Sequence, residues 1–155
     1  MYTKKLLKRL KMDNCNPIKL LIPAGTVLKA DIESPLEYDD ATVYWQIISS
    51  TIYLSNYTRL NISYAIGQLA RFIAALGKSH YRLSKQLLRY LNGTLETGIT
   101  FLNRAVHLPL YKLTLTNLPA SYSIFTNATW GTEHDRILFQ GIAVICYRGA
   151  VIWIA

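Results

Sequence analysis

The sequence predicts an α+β chain, with a small helical segment followed by a mostly antiparallel sheet. Three observations carry this prediction. Between residues 41 and 93 apolar side chains return at helical spacing, and the run stops at Asn92-Gly93. Beyond Gly98 the pattern changes to short β-branched and aromatic runs separated by turn residues. Hydrophobic residues make up 51% of the 155, enough for a core and too many for a globally disordered chain.

Residues 2–12 form a short amphipathic pattern. Leu6, Leu7 and Leu10 lie on one side, and Lys4, Lys5, Lys8, Arg9 and Lys11 surround them. Either the leucines touch the body of the protein beneath a solvated basic face, or the helix lies against phosphates or a membrane surface. From 14 to 40 periodicity is lost, and Pro17, Pro23, Gly25 and Pro35 punctuate the chain. Proline removes a donor and biases its predecessor toward extended backbone, so this stretch reads as a long connector lying on the surface of something. The chain thus divides into an N-terminal helix and connector (1–40), a helical segment (41–97) and a strand-forming segment (98–155).

The first helix of the middle segment is expected over about 41–56. Tyr38-Asp39-Asp40 precedes it. Paired aspartates can hold two divalent metals when they sit at a tight hairpin between apolar strands. Here the flanks are Ser34-Pro35-Leu36-Glu37 and a helix, so the two carboxylates suit the start of that helix instead. A second helix carries Ile62, Ala65, Ile66, Leu69, Phe72, Ile73 and Leu76 on its periodic positions and stops at Gly77. A third is capped by Ser79 and ends at Asn92-Gly93. Along it Lys78, Arg82, Lys85 and Arg89 recur at spacings of four, three and four. At about 100° per residue they fall within roughly 60° of one another, with Leu83, Leu87 and Leu91 opposite. Such a ridge is either a solvated face or a grip for something anionic.

Strands are expected at 98–102 and 110–115, paired as a hairpin, then at 121–125, 141–146 and 150–154. The last two are joined by Tyr147-Arg148-Gly149. Lys and Arg outnumber Asp and Glu 17 to 9, a net charge of +8 that favours nucleic acid or an anionic membrane as partner. Cys15 and Cys146 are two cysteines without a secretory leader, which fits unpaired thiols in a reduced intracellular compartment, cytoplasmic or nuclear, and not a secreted protein. No apolar run is long enough to span a bilayer. His80, His107 and His134 lack metal-ligand spacing, and Glu133-His134-Asp135 has no nucleophile marked out beside it.

Several runs together resemble one family. Residues 44–54, YWQIISSTIYL, resemble the "Y-x-x-x-I/V-G-S-L-x-Y-L" run of copia-type LTR-retrotransposon Pol polyproteins. Residues 58–65, TRLNISYA, resemble its "T-R-P-D-I-x-Y-A", and residues 87–94, LLRYLNGT, its "I-L-R-Y-L-K-G-T". Leu69-Ala70-Arg71-Phe72 and His80 fall in order between them, and Leu10 to Pro17 resembles the family's exit from the polymerase palm. The resemblance implies the thumb and connection of a reverse transcriptase, running into the opening strands of an incomplete ribonuclease-H-like sheet. Trp130, Arg136, Gly141 and Trp153 match scaffold positions of that nuclease, but Asn127 stands where the family has its first catalytic aspartate, and Thr129 stands at the second acidic position. The remaining acidic ligands would lie beyond residue 155. Leu60-Asn61 also replaces the family's Pro-Asp, and residues 137–140 replace a polar run with ILFQ, as drift in an unselected fragment would do.

From the resemblance follow the functional expectations. The chain is a polyprotein fragment with no catalytic residues, no metal ligands and no cofactor of its own, although the intact family enzyme uses Mg²⁺. Its partners are an RNA–DNA hybrid or other nucleic acid, held through Lys78, Arg82, Lys85 and Arg89, and the remainder of the Pol polyprotein. The alternatives are a nucleic-acid binding module independent of sequence and an active metal-dependent ribonuclease H, against which Asn127 argues.

Overall fold

The computed structural model describes residues 2–22, 26, 28–30, 35–99, 122–128, 140–146 and 149–154. The chain divides into two compact units, Met1–Thr97 and Gly98–Ala155. The first holds helices α1 (Tyr2–Arg9), α2 (Tyr38–Tyr57), α3 (Ser63–Ala70) and α4 (Lys78–Gly93), with a 3₁₀ turn at Leu60–Ile62. The second holds strands β1 (Tyr122–Ala128), β2 (Gln140–Cys146) and β3 (Gly149–Ile154). The expected α+β class is observed. No helix among the described residues is long and apolar enough to cross a membrane.

Leu6 and Leu7 of α1 are fully buried and belong to the same core as the later helices. The basic residues of α1 remain exposed around them. The helix closes with Met12 N–H on the Leu7 carbonyl (2.8 Å) and Lys11 N–H on the Lys8 carbonyl (3.1 Å). That paired closure requires a left-handed residue, and Lys11 supplies it at φ 55° where glycine would be easier.

α2 begins three residues before the expected start, so Asp39 and Asp40 lie inside its first turn, where carboxylates offset the helix dipole. They are helical residues and not the tip of a hairpin. The helix buries Tyr44, Ile47, Ile48 and Leu54, and Tyr44 donates its hydroxyl to the Leu69 carbonyl at 2.8 Å. Burial pushes the Tyr44 pKa well above the ordinary tyrosine value. Thr51, also fully buried, donates to the Ile47 carbonyl at 2.7 Å, so its hydroxyl costs the core little.

The second expected helix is shorter than its periodicity suggests. α3 stops at Ala70, and residues 71–75 continue as tight turns, with Phe72 N–H on Leu69 and Ala75 N–H on Phe72. The reason is tertiary. Pro35 bridges Gly77, and Leu36 N–H donates to the Leu76 carbonyl at 3.4 Å. That pairing draws residues 76 and 77 into extended backbone. Gly77 is therefore the residue before α4 and not merely the end of α3. The cap also differs from expectation: Ser79 lies in the first turn, and the buried His80 ring accepts the Gly77 N–H on Nδ1 at 3.1 Å.

The core unites Leu6 and Leu7 with Tyr44, Ile47, Ile48, Leu54, Ile62, Ile66, Leu69, Leu83, Leu87, Leu88 and Leu91. Each such aliphatic contributes about 1.5–3 kcal/mol when fully buried. In the second unit the strands pair antiparallel in the order β1-β2-β3. Asn127 lies opposite Gly141, and Val144 opposite both Ile124 and Ile152, with an irregularity between Val144 and Ile145. β1 runs three residues past its expected end. Gly98 and Ile99 have no regular structure, and the rest of the expected hairpin at 98–102 and 110–115 lies outside the described residues.

Candidate nucleic-acid interface

The ridge helix α4 is fixed to the core by Leu83, Leu87, Leu88 and Leu91, all buried. That orientation leaves Lys78 and Arg82 exposed and Lys85 and Arg89 half-buried. The four positions expected to share a face therefore differ in surroundings. Lys85 places its Nζ 5.0 Å from the centre of the Tyr81 ring, a cation–π contact. Arg89 donates Nε to the Asn16 carbonyl at 2.8 Å.

The Arg89 contact is one of several through which the connector straps onto α4. Ile18 N–H donates to the Arg89 carbonyl (3.4 Å), Gln86 Nε2 to the Leu20 carbonyl (3.3 Å) and Asn92 Nδ2 to the Cys15 carbonyl (2.9 Å). A Cβ at Gly93 would come within 2.9 Å of the Ile18 carbonyl oxygen. Glycine thus lets the strap approach the helix end. The surface that the connector was expected to lie on is the C-terminal half of α4, which leaves Lys78 and Arg82 as the most open part of the ridge. The Tyr81 hydroxyl has its pKa raised, by burial first and by the Asp40 carboxylate second.

A polar cluster that the sequence did not mark as a site ties the helical unit together. Arg59 is only 3% exposed. It donates Nη1 to the Thr94 carbonyl (2.8 Å), Nη2 to Thr94 Oγ1 (2.6 Å) and Nε to Asn61 Oδ1 (3.2 Å). Asn61 Nδ2 in turn donates to the Tyr90 hydroxyl at 2.7 Å, and Thr94 Oγ1 to the Tyr90 carbonyl at 2.8 Å. Burial lowers the Arg59 pKa from the usual arginine value, an effect opposed by the Tyr90 hydroxyl. The runs TRLN and YLNGT, 35 residues apart between Arg59 and Thr94, are thus two halves of one clamp. Their spacing in the sequence was the available signal, but nothing in either run says that it meets the other.

The nuclease positions lie in or around the sheet. Asn127 sits in β1, Gly141 in β2 and half-buried Trp153 in β3, whereas Thr129, Trp130, Glu133, His134, Asp135, Arg136 and residues 137–139 lie outside the described residues, as does His107. The strand sequences YSIFTNA, QGIAVIC and GAVIWI contain no carboxylate. Among the described residues no group of three His, Cys, Asp or Glu side chains is placed to hold a metal ion. Two-metal hydrolysis relies on anionic oxygen ligands, which the described strands do not carry.

Comparison with known proteins gives a consistent set of relatives. The chain is 29% identical over 153 residues, 98% of its length, to the retrovirus-related Pol polyprotein from transposon RE2 of Arabidopsis thaliana. It matches that from transposon RE1 of the same plant at the same identity and length. It is 30% identical over 105 residues, 64% of its length, to the retrovirus-related Pol polyprotein from transposon TNT 1-94 of Nicotiana tabacum. It spans only 9% of the first two relatives and 8% of the third. No family model matches, and no solved structure does.

Proposed function

We propose that this chain is a fragment from the reverse transcriptase and ribonuclease H region of a copia-type retrotransposon Pol polyprotein, in which the helical unit contacts nucleic acid and the sheet has no nuclease activity of its own. Such a fragment would work inside the cell, in cytoplasm or nucleus, beside the remainder of the polyprotein. One observation carries the assignment. The motif runs fall in the family's order and gaps, and two of them meet through Arg59 and Thr94 in a single clamp, as runs kept for one fold would. Similarity to plant-transposon Pol polyproteins over 98% of the chain supports the same reading.

Contact with nucleic acid is assigned to Lys78, Arg82, Lys85 and Arg89. Charges of this kind reach phosphates, so binding is insensitive to sequence. If each neutralises one phosphate of an RNA–DNA hybrid, log K falls against log salt with a slope near −3.6, about a hundredfold between 50 and 200 mM. Replacing Arg82 and Lys85 by glutamine should reduce that slope by about two and weaken all sequences alike. A slope unchanged by the double replacement would make the ridge a solvated surface only. In the same preparations Mg²⁺ or Mn²⁺ should produce no cleavage of the RNA strand. Cleavage that tracks with the purified chain would overturn the assignment of an inactive sheet.

A further inference from the structure

A second surface of the helical unit combines open aromatic rings with cations. Tyr53 and Tyr57, one turn apart on α2, are 50% and 65% exposed, with ring centroids 4.7 Å apart. Tyr2 of α1 extends the row, its ring 5.1 Å from that of Tyr53. On α1, Tyr2, Lys5 and Arg9 fall within about 60° of one another along a single edge. That edge faces α2, because Arg9 Nη2 donates to Ser50 Oγ at 2.7 Å while Tyr2 meets Tyr53. Lys5 and Arg9 are exposed. No acidic residue occurs before Asp13, and on α2 the only carboxylates, Asp39 and Asp40, lie in the first turn, at the opposite end from Tyr53 and Tyr57.

We infer that this face binds single-stranded nucleic acid, with unpaired bases stacking on Tyr53, Tyr57 and Tyr2 while Lys5 and Arg9 contact the adjoining phosphates. Exposed rings beside cations suit this ligand because every base presents a π-face and every nucleotide a charge. A duplex keeps its bases stacked on each other and has no use for the rings. An anionic membrane would need the apolar side of α1, but Leu6 and Leu7 are consumed by the core. The site is independent of the α4 ridge, and the variants that test one leave the other intact.

The full chain is titrated at 50 mM salt into three labelled probes: a thymidine oligonucleotide, an abasic oligonucleotide of equal length, and a duplex. Stacking predicts that the thymidine strand binds about tenfold or more tighter than the abasic strand. The Tyr53→Ala/Tyr57→Ala variant should lose that preference and keep its duplex affinity, whereas Tyr53→Phe/Tyr57→Phe should retain both. Lys5→Gln/Arg9→Gln should lower the single-strand salt slope by about 1.4. Circular dichroism checks that the alanine variant folds; if it does not, the abasic comparison on the unaltered chain decides alone. Equal affinity for thymidine and abasic strands, or no single-strand binding at all, overturns the inference. So does tyrosine-dependent binding to phosphatidylserine vesicles with oligonucleotide binding unchanged by the alanine variant.

Discussion

The helical unit and the sheet differ in what they do with their apolar side chains. In the first, Leu88, Leu91, Ile47 and Leu69 have no accessible surface, and a buried arginine donates three hydrogen bonds to Thr94 and Asn61. In the second, Ile124 and Ile152 are 56% and 58% exposed although they flank Val144 on one side of the sheet, and Phe125 and Val151 are exposed as well. Among the described strand side chains only Ala150 is buried. Among the described residues, apolar burial is therefore concentrated in Met1–Thr97, while the three strands hold apolar surface that the described residues do not cover. The same division runs through the chemistry: Arg59, Asn61, Tyr90 and Thr94 of the helical motifs partner one another, and the described strands carry no carboxylate.

The largest test of this contrast is Leu88→Ala. Truncating a fully buried leucine costs about 2–5 kcal/mol, so urea unfolding followed by helical circular dichroism should move to clearly lower denaturant. Ile152→Ala should leave that transition in place. Equal effects from the two would mean that the units fold as one.

Arg59→Met should cost about 2–3 kcal/mol in the same assay, because it strips the Thr94 carbonyl and Asn61 of their shared donor. The opposite change tests the same clamp. Asn61→Asp gives the Arg59 guanidinium a carboxylate at a position that already accepts its Nε, and should raise stability by up to about 1 kcal/mol, residue 61 itself being exposed to water. A destabilised Asn61→Asp would show that the Asn61 donation to Tyr90 matters more than the Arg59 contact.

Alkaline pH should loosen the helical unit through Tyr44. Its folded pKa lies above the unfolded value of about 10, so the protonated hydroxyl is favoured by folding. Its contribution is intact below pH about 10. Above that the unfolded chain ionises while the folded one does not, and stability falls by up to about 1.4 kcal/mol per pH unit. Tyr44→Phe should flatten this limb in a pH series of denaturant midpoints; a limb of unchanged steepness would assign it to other groups.

The smallest effect on stability, and the clearest on association, is expected in the sheet. Exposed apolar residues on short strands favour edge pairing and oligomers. Light scattering at tens of micromolar, a range where exposed edges associate, should show species larger than a monomer. Ile152→Lys should reduce them without moving the helical transition. A monomer before the substitution would mean that the exposed residues of this sheet are tolerated in solution.

Periodicity and punctuation alone determined the class of the fold, the faces of α4, and the three described strands, since these follow from the identity of nearby residues. Leu83, Leu87 and Leu91 had to lie inward if Lys78 and Arg82 lay outward, and they do. Contacts between distant residues were not legible. Pairing of residues 35 and 36 with 76 and 77 accompanies the early end of α3 and puts the cap of α4 at Gly77, with its N–H held by His80, in place of Ser79. The connector's choice of α4 as its bed engaged Arg89, and the meeting of Arg59 with Thr94 made one clamp of two motifs. Each depends on backbone donors and acceptors that every residue carries, so side-chain pattern gives no notice of them and only packing in three dimensions selects the partners.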